Sequence, residues 1–543
     1  MWLVPARSVE FPQAGGDPDW TMTTVRSPTL DGFASHDPDA PSLAIGFREA
    51  CTVAQRFELT RSRPATSSVG FHDRRSRSFD LVTVPDLLDQ SAGMAAALAE
   101  ALPPDTPVLI VTRSPEATLR CYLAAVLANR PPAVFPNRLA NEAAGRTRRR
   151  IEDAASALGT HGVLTEEGWL ESLPDTSARA TMTLESAPGP SEAVVAEVPA
   201  GNLDSICHFQ FSSGSTRKPA AIGITNGNIL AHLGALSTRV GLATGHTLIS
   251  WLPLGHDMGL VGNVLLALVT GVDLRLMSPF EFMKRPIDWL RALSEHPVAM
   301  TAAPTMAFDL ATRRIDVADM AGIDLSTWKR AYCGAEPVHV PTIERFIEKF
   351  APFGFDPEAL MPTYGLAEAT LMATMPEPGV TPRYLETRAS SVRPGAMVDV
   401  VGEHVFGSAA DASPGNSLVA CLGPPADNLD LFIQDDAGRR IVNPHQIGEI
   451  AVSGPGIAPG TRRPDGGLDP FETPYRTGDL GFLHDGELVV VDRTKSVLIW
   501  NGQNYSASLS EHRLASATDV AVNRLSVLEY QPQSGQKSIA VVV

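Results

Sequence analysis

Short apolar runs alternate with amphipathic helical segments along much of the chain. The first such pair is PVLIVTR (107–113), which has the composition of a buried strand, followed by EATLRCYLAAVLANR (116–130), whose helical spacing of apolar residues ends before two prolines. Further apolar runs of this kind are TLISWLPL (247–254), VDLRLMSP (272–279), AMTAAP (299–304) and WKRAYCGAEP (328–337). The alternation predicts an α/β fold in which a mostly parallel sheet is covered by helices.

The length and the distribution of turn residues predict several units. A chain of 543 residues exceeds what one hydrophobic core usually supports, so two or three cores are expected. Residues 1–75 are rich in Pro, Asp, Ser and Gly and are predicted to form a variable, irregular leader, and residues 372–420 look loop-like. Strand patterns return in LDLFIQDDAGRRI (429–441) and GEIAVSGP (448–455), which predict a small antiparallel or barrel-like subdomain.

Charge and cysteine content argue against several classes of protein. A formal net charge of −17 disfavours nucleic-acid binding, which requires the neutralisation of phosphates by Lys and Arg. The five cysteines are far apart and form no C-x-x-C pair, so we expect neither a disulfide framework nor a zinc knuckle, and a cytoplasmic location fits. No signal peptide is recognisable at the N-terminus. The most apolar stretch begins at Leu248 and is interrupted by Pro253, His256 and Asp257, which predicts buried core and no membrane span.

Polar motifs follow several of the apolar runs. The loop after the strand pattern HFQF contains five consecutive small residues, Ser212, Ser213, Gly214, Ser215 and Thr216. It is not a Walker loop, because G-x-x-x-x-G-K-[ST] is absent, but its hydroxyls and close backbone approach suit phosphate oxygens. A plain connector remains the alternative for this loop taken alone.

Three further motifs change that interpretation. They are SWLPLGHDMGL (250–260), MPTYGLAEATL (361–371) and YRTGDLGFLHDGELVVVDRTK (475–495). Together with SGST, and in this order, they resemble the adenylate-forming, acyl-activating superfamily, and within it the fatty acyl-AMP ligases. The resemblance covers approximately residues 80–515.

The resemblance implies an architecture and an activity. It implies a large N-terminal AMP-binding domain (76–491) of helix-flanked, mostly parallel sheets with a small barrel-like subdomain, then a hinge and a small α+β C-terminal domain (492–543). The implied reaction is the ATP- and Mg²⁺-dependent activation of a medium- or long-chain fatty acid to an acyl-adenylate, for transfer to an acyl carrier protein or a polyketide or nonribosomal synthase. About fifty residues separate Leu371 from Cys421, where the family's acyl-AMP ligases carry an insertion, so carrier transfer is favoured over free CoA.

The resemblance also implies roles for individual positions. Those implied to bind ATP or AMP are Ser212, Ser213, Gly214, Ser215, Thr216, Gly334, Ala335, Glu336, Pro337, Tyr364, Gly365, Leu366, Ala367, Asp479 and Arg493. Thr216, Glu368 and His256 are implied to be catalytic, with Glu368 as the magnesium ligand. The fatty acid is implied to lie against His256, Asp257, Met258 and Gly259.

Each of these roles has a structural alternative. Glu336 and Glu368 could merely stabilise helix N-termini, Asp479 and Arg493 could form a hairpin ion pair, and His256 could be a core histidine. After Asp492 the sequence contains no match to the family's distal glycine-lysine motif, since Lys537 does not fit it, so we expect an incomplete C-terminal domain and impaired adenylation. The alternative functions are an acyl-adenylate-binding protein with weakened catalysis and an acyl-CoA synthetase.

Overall fold

The computed structural model describes most of the chain between Ala50 and Val542. The described residues are 50, 52–61, 67–136, 144–160, 162–173, 180–186, 201–212, 219–500, 503–507, 510–511, 514, 518, 526–530 and 538–542. All of them lie in one compact unit that spans residues 41–543.

The helices and strands follow one another in mixed order. The α-helices are α1 Val53–Arg61, α2 Val84–Ala101, α3 Pro115–Leu127, α4 Ala144–Leu158, α5 Asn226–Val240, α6 Asp257–Gly259, α7 Leu266–Thr270, α8 Pro279–Lys284, α9 Pro286–Ser294, α10 Thr305–Arg314 and α11 Val340–Phe350. The strands are β1 Ser68–Asp73, β2 Ser78–Thr83, β3 Val108–Val111, β4 Pro132–Val134, β5 Gly162–Thr165, β6 Ala180–Thr183, β7 Ile206–Phe211, β8 Ala221–Thr225, β9 Thr247–Ser250, β10 Asp273–Leu276, β11 Ala299–Ala303, β12 Trp328–Cys333, β13 Leu360–Pro362, β14 Tyr364–Gly365, β15 Met372–Thr374, β16 Arg383–Arg388, β17 Val400–Val405, β18 Asn416–Ala420, β19 Asp430–Gln434, β20 Gly448–Ser453, β21 Gly460–Arg462, β22 Leu468–Pro470, β23 Tyr475–His484, β24 Glu487–Arg493, β25 Val497–Trp500, β26 Gln503–Ser506, β27 Ser526–Tyr530 and β28 Ser538–Val542.

Two large sheets form the centre of the fold. The seven-stranded sheet has the order β13-β12-β11-β9-β10-β1-β2 and is parallel except for the antiparallel pair β1–β2. The eight-stranded sheet has the order β22-β21-β8-β7-β4-β3-β5-β6 and is parallel from β7 to β6. Every residue of β3, β9 and β11 is buried, because helices cover both faces of a parallel sheet. The predicted α/β class is confirmed.

Local capping interactions explain where helix α3 begins and ends. Ser114 is the N-cap of α3, since its side chain accepts a hydrogen bond from the amide of Ala117 at 3.0 Å, and Pro115 occupies the first helical position. The helix ends at Leu127, three residues before the predicted end. Asn129 adopts a left-handed φ of 54°, and the amide of Arg130 bonds back to the carbonyl of Ala125 at 2.9 Å.

The seven-stranded sheet includes a strand from within the predicted leader of residues 1–75. β1 pairs with β10 in parallel and with β2 in antiparallel register, and α1 buries Val53 and Phe57 completely. The composition of this region concealed both elements, because β1 (SVGFHD) and α1 (VAQRFELTR) carry many polar residues. Residues 53–61 and 68–73, within the predicted leader of 1–75, therefore contribute to the core.

Two antiparallel sheets form the small subdomain. The three-stranded sheet β17-β16-β18 and the four-stranded sheet β19-β20-β23-β24 share a core that includes Leu385, Val419, Phe482 and Val489. The small antiparallel subdomain is thus confirmed, but residues 372–420 are not simply a loop. The strands β16 to β18 were not recognised because polar and charged residues within RYLETR and VVGEHV, and the polar start of NSLVA, interrupt their apolar pattern, and because proline- and glycine-rich turns separate them.

The described residues after Asp492 include two antiparallel ribbons. β25 pairs with β26, β27 pairs with β28, and Leu498, Ala507 and Val527 form a small core of their own. Within the described residues, no helix combines the length and the apolarity that a membrane-spanning helix needs.

Candidate active site

A cavity of about 660 Å³ lies where three of the sequence motifs meet. Eight of the residues predicted to bind nucleotide line it: Ala335, Glu336, Pro337, Tyr364, Gly365, Leu366, Asp479 and Arg493. The remaining wall comes from the end of β18, from β24 and from the chain after it. Segments more than 100 positions apart therefore converge on one cavity, near the carboxyl ends of β12 and β13. This is where α/β sheets usually bind ligands.

Asp479 is a buried acidic residue in the wall of this cavity. The hydroxyl of Tyr364 donates to Asp479 Oδ2 at 2.6 Å, and Nε of Arg493 donates to Oδ1 at 3.0 Å. Burial and the adjacent carboxylate raise the pKa of Tyr364 well above its usual value, so the phenol stays protonated and remains a donor. The amide of Asp479 donates to Oγ1 of Thr477 at 3.1 Å, which fixes the backbone at this point.

The hairpin ion pair proposed as an alternative for Asp479 is present. Asp479 and Arg493 face each other across β23 and β24, and their side chains are 11% and 71% exposed. Because the arginine side chain is so exposed, the pair stabilises the fold little. The ion pair therefore does not account for the burial of Asp479 at the cavity wall.

Glu336 has a structural partner. Its Oε1 accepts a 2.5 Å hydrogen bond from the amide of Met306, in the first turn of α10. The N-cap of that helix is Pro304, which offers no side-chain acceptor, so Glu336 satisfies a free amide at the helix start. Burial raises the pKa of Glu336. The alternative role as a helix-stabilising carboxylate is therefore realised, although the same residue lines the cavity.

The backbone around Glu336 is tightly constrained. A Cβ on Gly334 would lie 2.7 Å from Oγ1 of Thr363, so only glycine fits there. Ala335 adopts a left-handed φ of 67°, which is unusual for a residue with a side chain. Gly334 and Ala367 lie next to lining residues in the sequence without being part of the cavity lining.

Glu368 lies on a 3₁₀ turn, Ala367–Ala369, between β14 and β15. The next element is β15 and not a helix, so the alternative in which Glu368 stabilises a helix N-terminus does not apply. Burial raises the pKa of the Glu368 carboxyl, and the negative charges of Asp257 and Asp479 raise it further, against a lowering hydrogen bond from Tyr475. A half-buried carboxylate whose charge interacts with those of two other acidic groups is suited to a divalent cation.

His256 is the N-cap of α6, directly after the loop that follows β9. Its Nδ1 lies 2.7 Å from Oδ1 of Asp257, and its side chain is 45% exposed, which excludes a fully buried core histidine. Burial lowers the pKa of His256, but the hydrogen bond and charge of Asp257 outweigh it, so the net pKa is raised. The described residues that line the 660 Å³ cavity include none of 256–259, and Met258 and Gly259 continue α6.

Most of the predicted phosphate loop lies outside the described residues. Of its five positions the structure describes Ser212, whose amide donates to the carbonyl of Ala220 at 2.9 Å. Ser213, Gly214, Ser215 and Thr216 are not described.

Several lining residues were not predicted from the sequence, among them two charged residues of the last motif. Asp492 and Lys495 both line the cavity, and Lys495 is an exposed cation beside a site rich in acidic groups. The segment DRTK, at the end of a strand pattern in the last motif, was a signal that could have identified both.

Comparisons with known proteins identify the family and the fold of this chain. A protein-family model described as AMP-binding enzyme matches residues 69–461. The chain is 34% identical over 362 residues to the long-chain-fatty-acid–AMP ligase FadD26 of Mycobacterium marinum, a match that covers 62% of this chain and 58% of that protein. It is 33% identical over 367 residues to the medium-chain-fatty-acid–[acyl-carrier-protein] ligase JamA of Moorena producens, covering 63% and 60%. The matched region is thus less than two thirds of either relative.

Solved structures of similar fold cover more of the chain. A fatty acyl-adenylate ligase from L. pneumophila in complex with acyl adenylate and pyrophosphate is 26% identical, with a TM-score of 0.73 over 91% of this chain and 86% of that one. A structure from a study of fatty acyl-adenylate ligases from E. coli and L. pneumophila has a TM-score of 0.79 at 23% identity, with 91% and 88% coverage, and shows the shared fold.

Proposed function

Because the chain belongs to the AMP-binding enzyme family, we propose that it activates a fatty acid with ATP to form an acyl-adenylate. The observation that carries this proposal is the convergence of Tyr364, Asp479 and Arg493 on one cavity, with Glu368 close enough for its pKa to respond to the Asp479 charge. The names of the relatives FadD26 and JamA support a fatty acid as the substrate.

In the proposed reaction a carboxylate oxygen of the fatty acid forms a bond to the α-phosphorus of ATP. The bond from that phosphorus to the bridging oxygen breaks, and pyrophosphate leaves with the electron pair. We assign Asp479 to the ribose hydroxyls, because an ionised carboxylate is purely an acceptor, and Tyr364 to holding Asp479 in place beside the base. Residues 334–337 would lie against the adenine, with Gly365, Leu366 and Ala367 beside it.

The remaining groups are assigned to the substrate carboxylate and the phosphates. We assign His256 and Asp257, with Met258 and Gly259, to positioning the fatty acid. Glu368 is the residue that would hold Mg²⁺, which when bound neutralises negative charge on the triphosphate. The loop from Ser212 to Thr216 is proposed for the β- and γ-phosphates.

We further propose that the acyl group passes to the phosphopantetheine thiol of a carrier protein. The thiol sulfur bonds to the acyl carbonyl carbon, the bond from that carbon to the phosphate oxygen breaks, AMP leaves with the electron pair, and the thiol proton passes to solvent. The name of JamA, an acyl-carrier-protein ligase, supports this. So does the ordered segment between Leu371 and Cys421, where the family's acyl-AMP ligases carry their insertion. The four described cysteines are free and buried, which fits a reducing cytoplasm as the proposed location.

The test is pyrophosphate release from the full chain with Mg·ATP and fatty acids of graded length. We expect release with at least one acid, and a loss of roughly 100-fold or more in Glu368→Gln and Asp479→Asn. Glu348→Gln, on the exposed face of α11, is the control and should retain full activity. No release with any acid, together with tight binding of an acyl-adenylate, would instead establish a binding protein. Thioester formation with free CoA would establish an acyl-CoA synthetase.

A further inference from the structure

Asn228 uses every polar atom of its buried side chain. Its Oδ1 accepts from the amide of Thr225 at 3.0 Å, and Nδ2 donates to two carbonyls, of Pro455 at 2.8 Å and of Ile457 at 2.9 Å. Two donors and one acceptor are thus all satisfied by backbone groups. The residue joins the start of α5 to a segment 227 to 229 positions later in the chain.

That segment, residues 454–458, is called here the bridging segment. It is in turn bonded to Glu368 itself and to Thr370, two residues later. The amide of Ala458 donates to the carbonyl of Glu368 at 2.8 Å, and Oγ1 of Thr370 donates to the carbonyl of Gly456 at 2.7 Å. The turn that carries Glu368 is therefore attached to the bridging segment at two points.

The turn needs such support because its backbone is strained. Thr370 has φ 70° and ψ −48°, the region of the rare γ-turn, and it is a β-branched residue. Such a conformation persists only when surrounding contacts enforce it. The buried hydroxyl of Thr370, bonded to Gly456, is one of those contacts.

We propose that Asn228 is a positioning residue for Glu368 and acts through the bridging segment. This inference rests on the proposed role of Glu368 in the ligase reaction. Asn228 holds the two carbonyls that flank Gly456, and the bridging segment holds the Glu368 turn. The start of α5, directly after β8 and the predicted phosphate loop, is thereby linked mechanically to the carboxylate proposed to bind the metal.

Two variants separate this role from the capping of α5. Asn228→Asp keeps the acceptor for the Thr225 amide but replaces the two donors with an anion facing two carbonyls. Thr225→Ala removes the hydroxyl that accepts from the amide of Asn228 and leaves the side chain of Asn228 in place. The first breaks the link to the bridging segment, whereas the second weakens the helix cap.

The first measurement is amide hydrogen exchange at Ala458 in the full chain without ligand. We expect exchange at least about tenfold faster in Asn228→Asp and unchanged in Thr225→Ala. Thr370→Val, which keeps the β-branch but loses the bond to Gly456, should also speed exchange at Ala458. The double variant Asn228→Asp/Thr370→Val should exchange at Ala458 little faster than the faster of the two single variants. The reason is that the bonds made by Asn228 and by Thr370 act in series.

The second measurement is the Mg²⁺ concentration that gives half-maximal pyrophosphate release. It should rise about 10- to 100-fold in Asn228→Asp and Thr370→Val, the range found when groups supporting a metal ligand are removed, and stay unchanged in Thr225→Ala. Unchanged exchange at Ala458 in Asn228→Asp would overturn the inference. It would also be overturned if Thr225→Ala sped exchange at Ala458 as much as Asn228→Asp does. Should Asn228→Asp fail to fold, unchanged exchange in Thr370→Val overturns it. A wild-type chain that releases no pyrophosphate defeats the proposed function, while the exchange experiment still decides whether Asn228 holds the turn.

Discussion

The hydroxyl of Tyr364 donates a 2.6 Å hydrogen bond to Asp479, although the two residues are 115 positions apart in the chain. They come from different sheets: Tyr364 starts β14, and Asp479 lies in β23 of the small subdomain. The bond therefore ties the small subdomain to the two-stranded sheet β14-β15 at the wall of the cavity.

Replacing Tyr364 with Phe should weaken ATP binding roughly tenfold, because a hydrogen bond to a charged group is typically worth about 1.5 kcal/mol or more. Without it the Asp479 carboxylate is less firmly oriented. Isothermal titration calorimetry with ATP measures the change. Tyr384→Phe is the matched control, since that hydroxyl bonds to Ser408 at 3.1 Å in the small subdomain. Equal losses in both variants would show that the Asp479 contact has no special role.

Replacing Glu336 with Ala should lower the free energy of unfolding by about 1 to 2 kcal/mol, because the amide of Met306 at the start of α10 loses its acceptor. Glu336→Gln keeps an acceptor oxygen and should cost less than about 0.5 kcal/mol. Urea denaturation followed by circular dichroism checks both, with Glu348→Ala as the surface control. If Glu336→Gln lowers the free energy of unfolding as much as Glu336→Ala does, the charge of the carboxylate stabilises the fold and the hydrogen bond to the start of α10 does not.

Replacing Gly365 with Ala should destabilise the chain by about 3 kcal/mol or prevent folding, because the new Cβ would lie 2.0 Å from the carbonyl oxygen of Leu371. That carbonyl also accepts the amide of Leu366 at 2.7 Å and cannot simply move away. Gly145→Ala, in α4 with no atom within 4 Å of its Cβ, should be neutral or slightly stabilising. Comparable denaturation midpoints for the two variants would refute the predicted clash.

Stability should fall as the pH drops from about 6.5 to 4, in part through His208. Burial lowers the pKa of His208 to about 4 from an ordinary 6.5, so the unfolded chain takes up a proton in this window that the folded chain does not. Above pH 6.5 His208 is unprotonated in both the folded and the unfolded chain, so it does not change the free energy of unfolding. Near pH 4 its protonation has lowered the free energy of unfolding by the full amount, on the order of 3 kcal/mol. Urea midpoints at several pH values measure it, and His208→Gln should show a flatter profile by that amount. A wild-type profile no steeper than that of the variant would contradict the lowered pKa.

The sequence predicted the large elements of the fold because their apolar residues are almost continuous. The runs that became β3, β9, β11 and β12 are buried in parallel sheets, and such strands need no alternation to be recognised. The elements that were missed, β1 and β16 to β18, lie in antiparallel pairs or expose one face, so charged and polar residues interrupt their apolar pattern.

The candidate site was predicted only in part. The motifs predicted that residues 335–337, Tyr364, Asp479 and Arg493 bind one nucleotide, and the structure places all of them in the lining of one cavity. The motifs did not indicate that Glu336 caps α10 or that Lys495 also lines the cavity. The role of each of these residues stays a proposal until the variants are measured.

The sequence alone determined the α/β class, the alternation of strands and helices and the order of the site motifs, because these depend on residues close together in the chain. Only the tertiary structure decided which distant groups meet: Tyr364 with Asp479, Glu336 with Met306, and Asn228 with the carbonyl of Pro455. The physical reason is that such contacts depend on the order of strands in a sheet and on how the sheets pack. Hydrophobic periodicity within one segment carries no information about either.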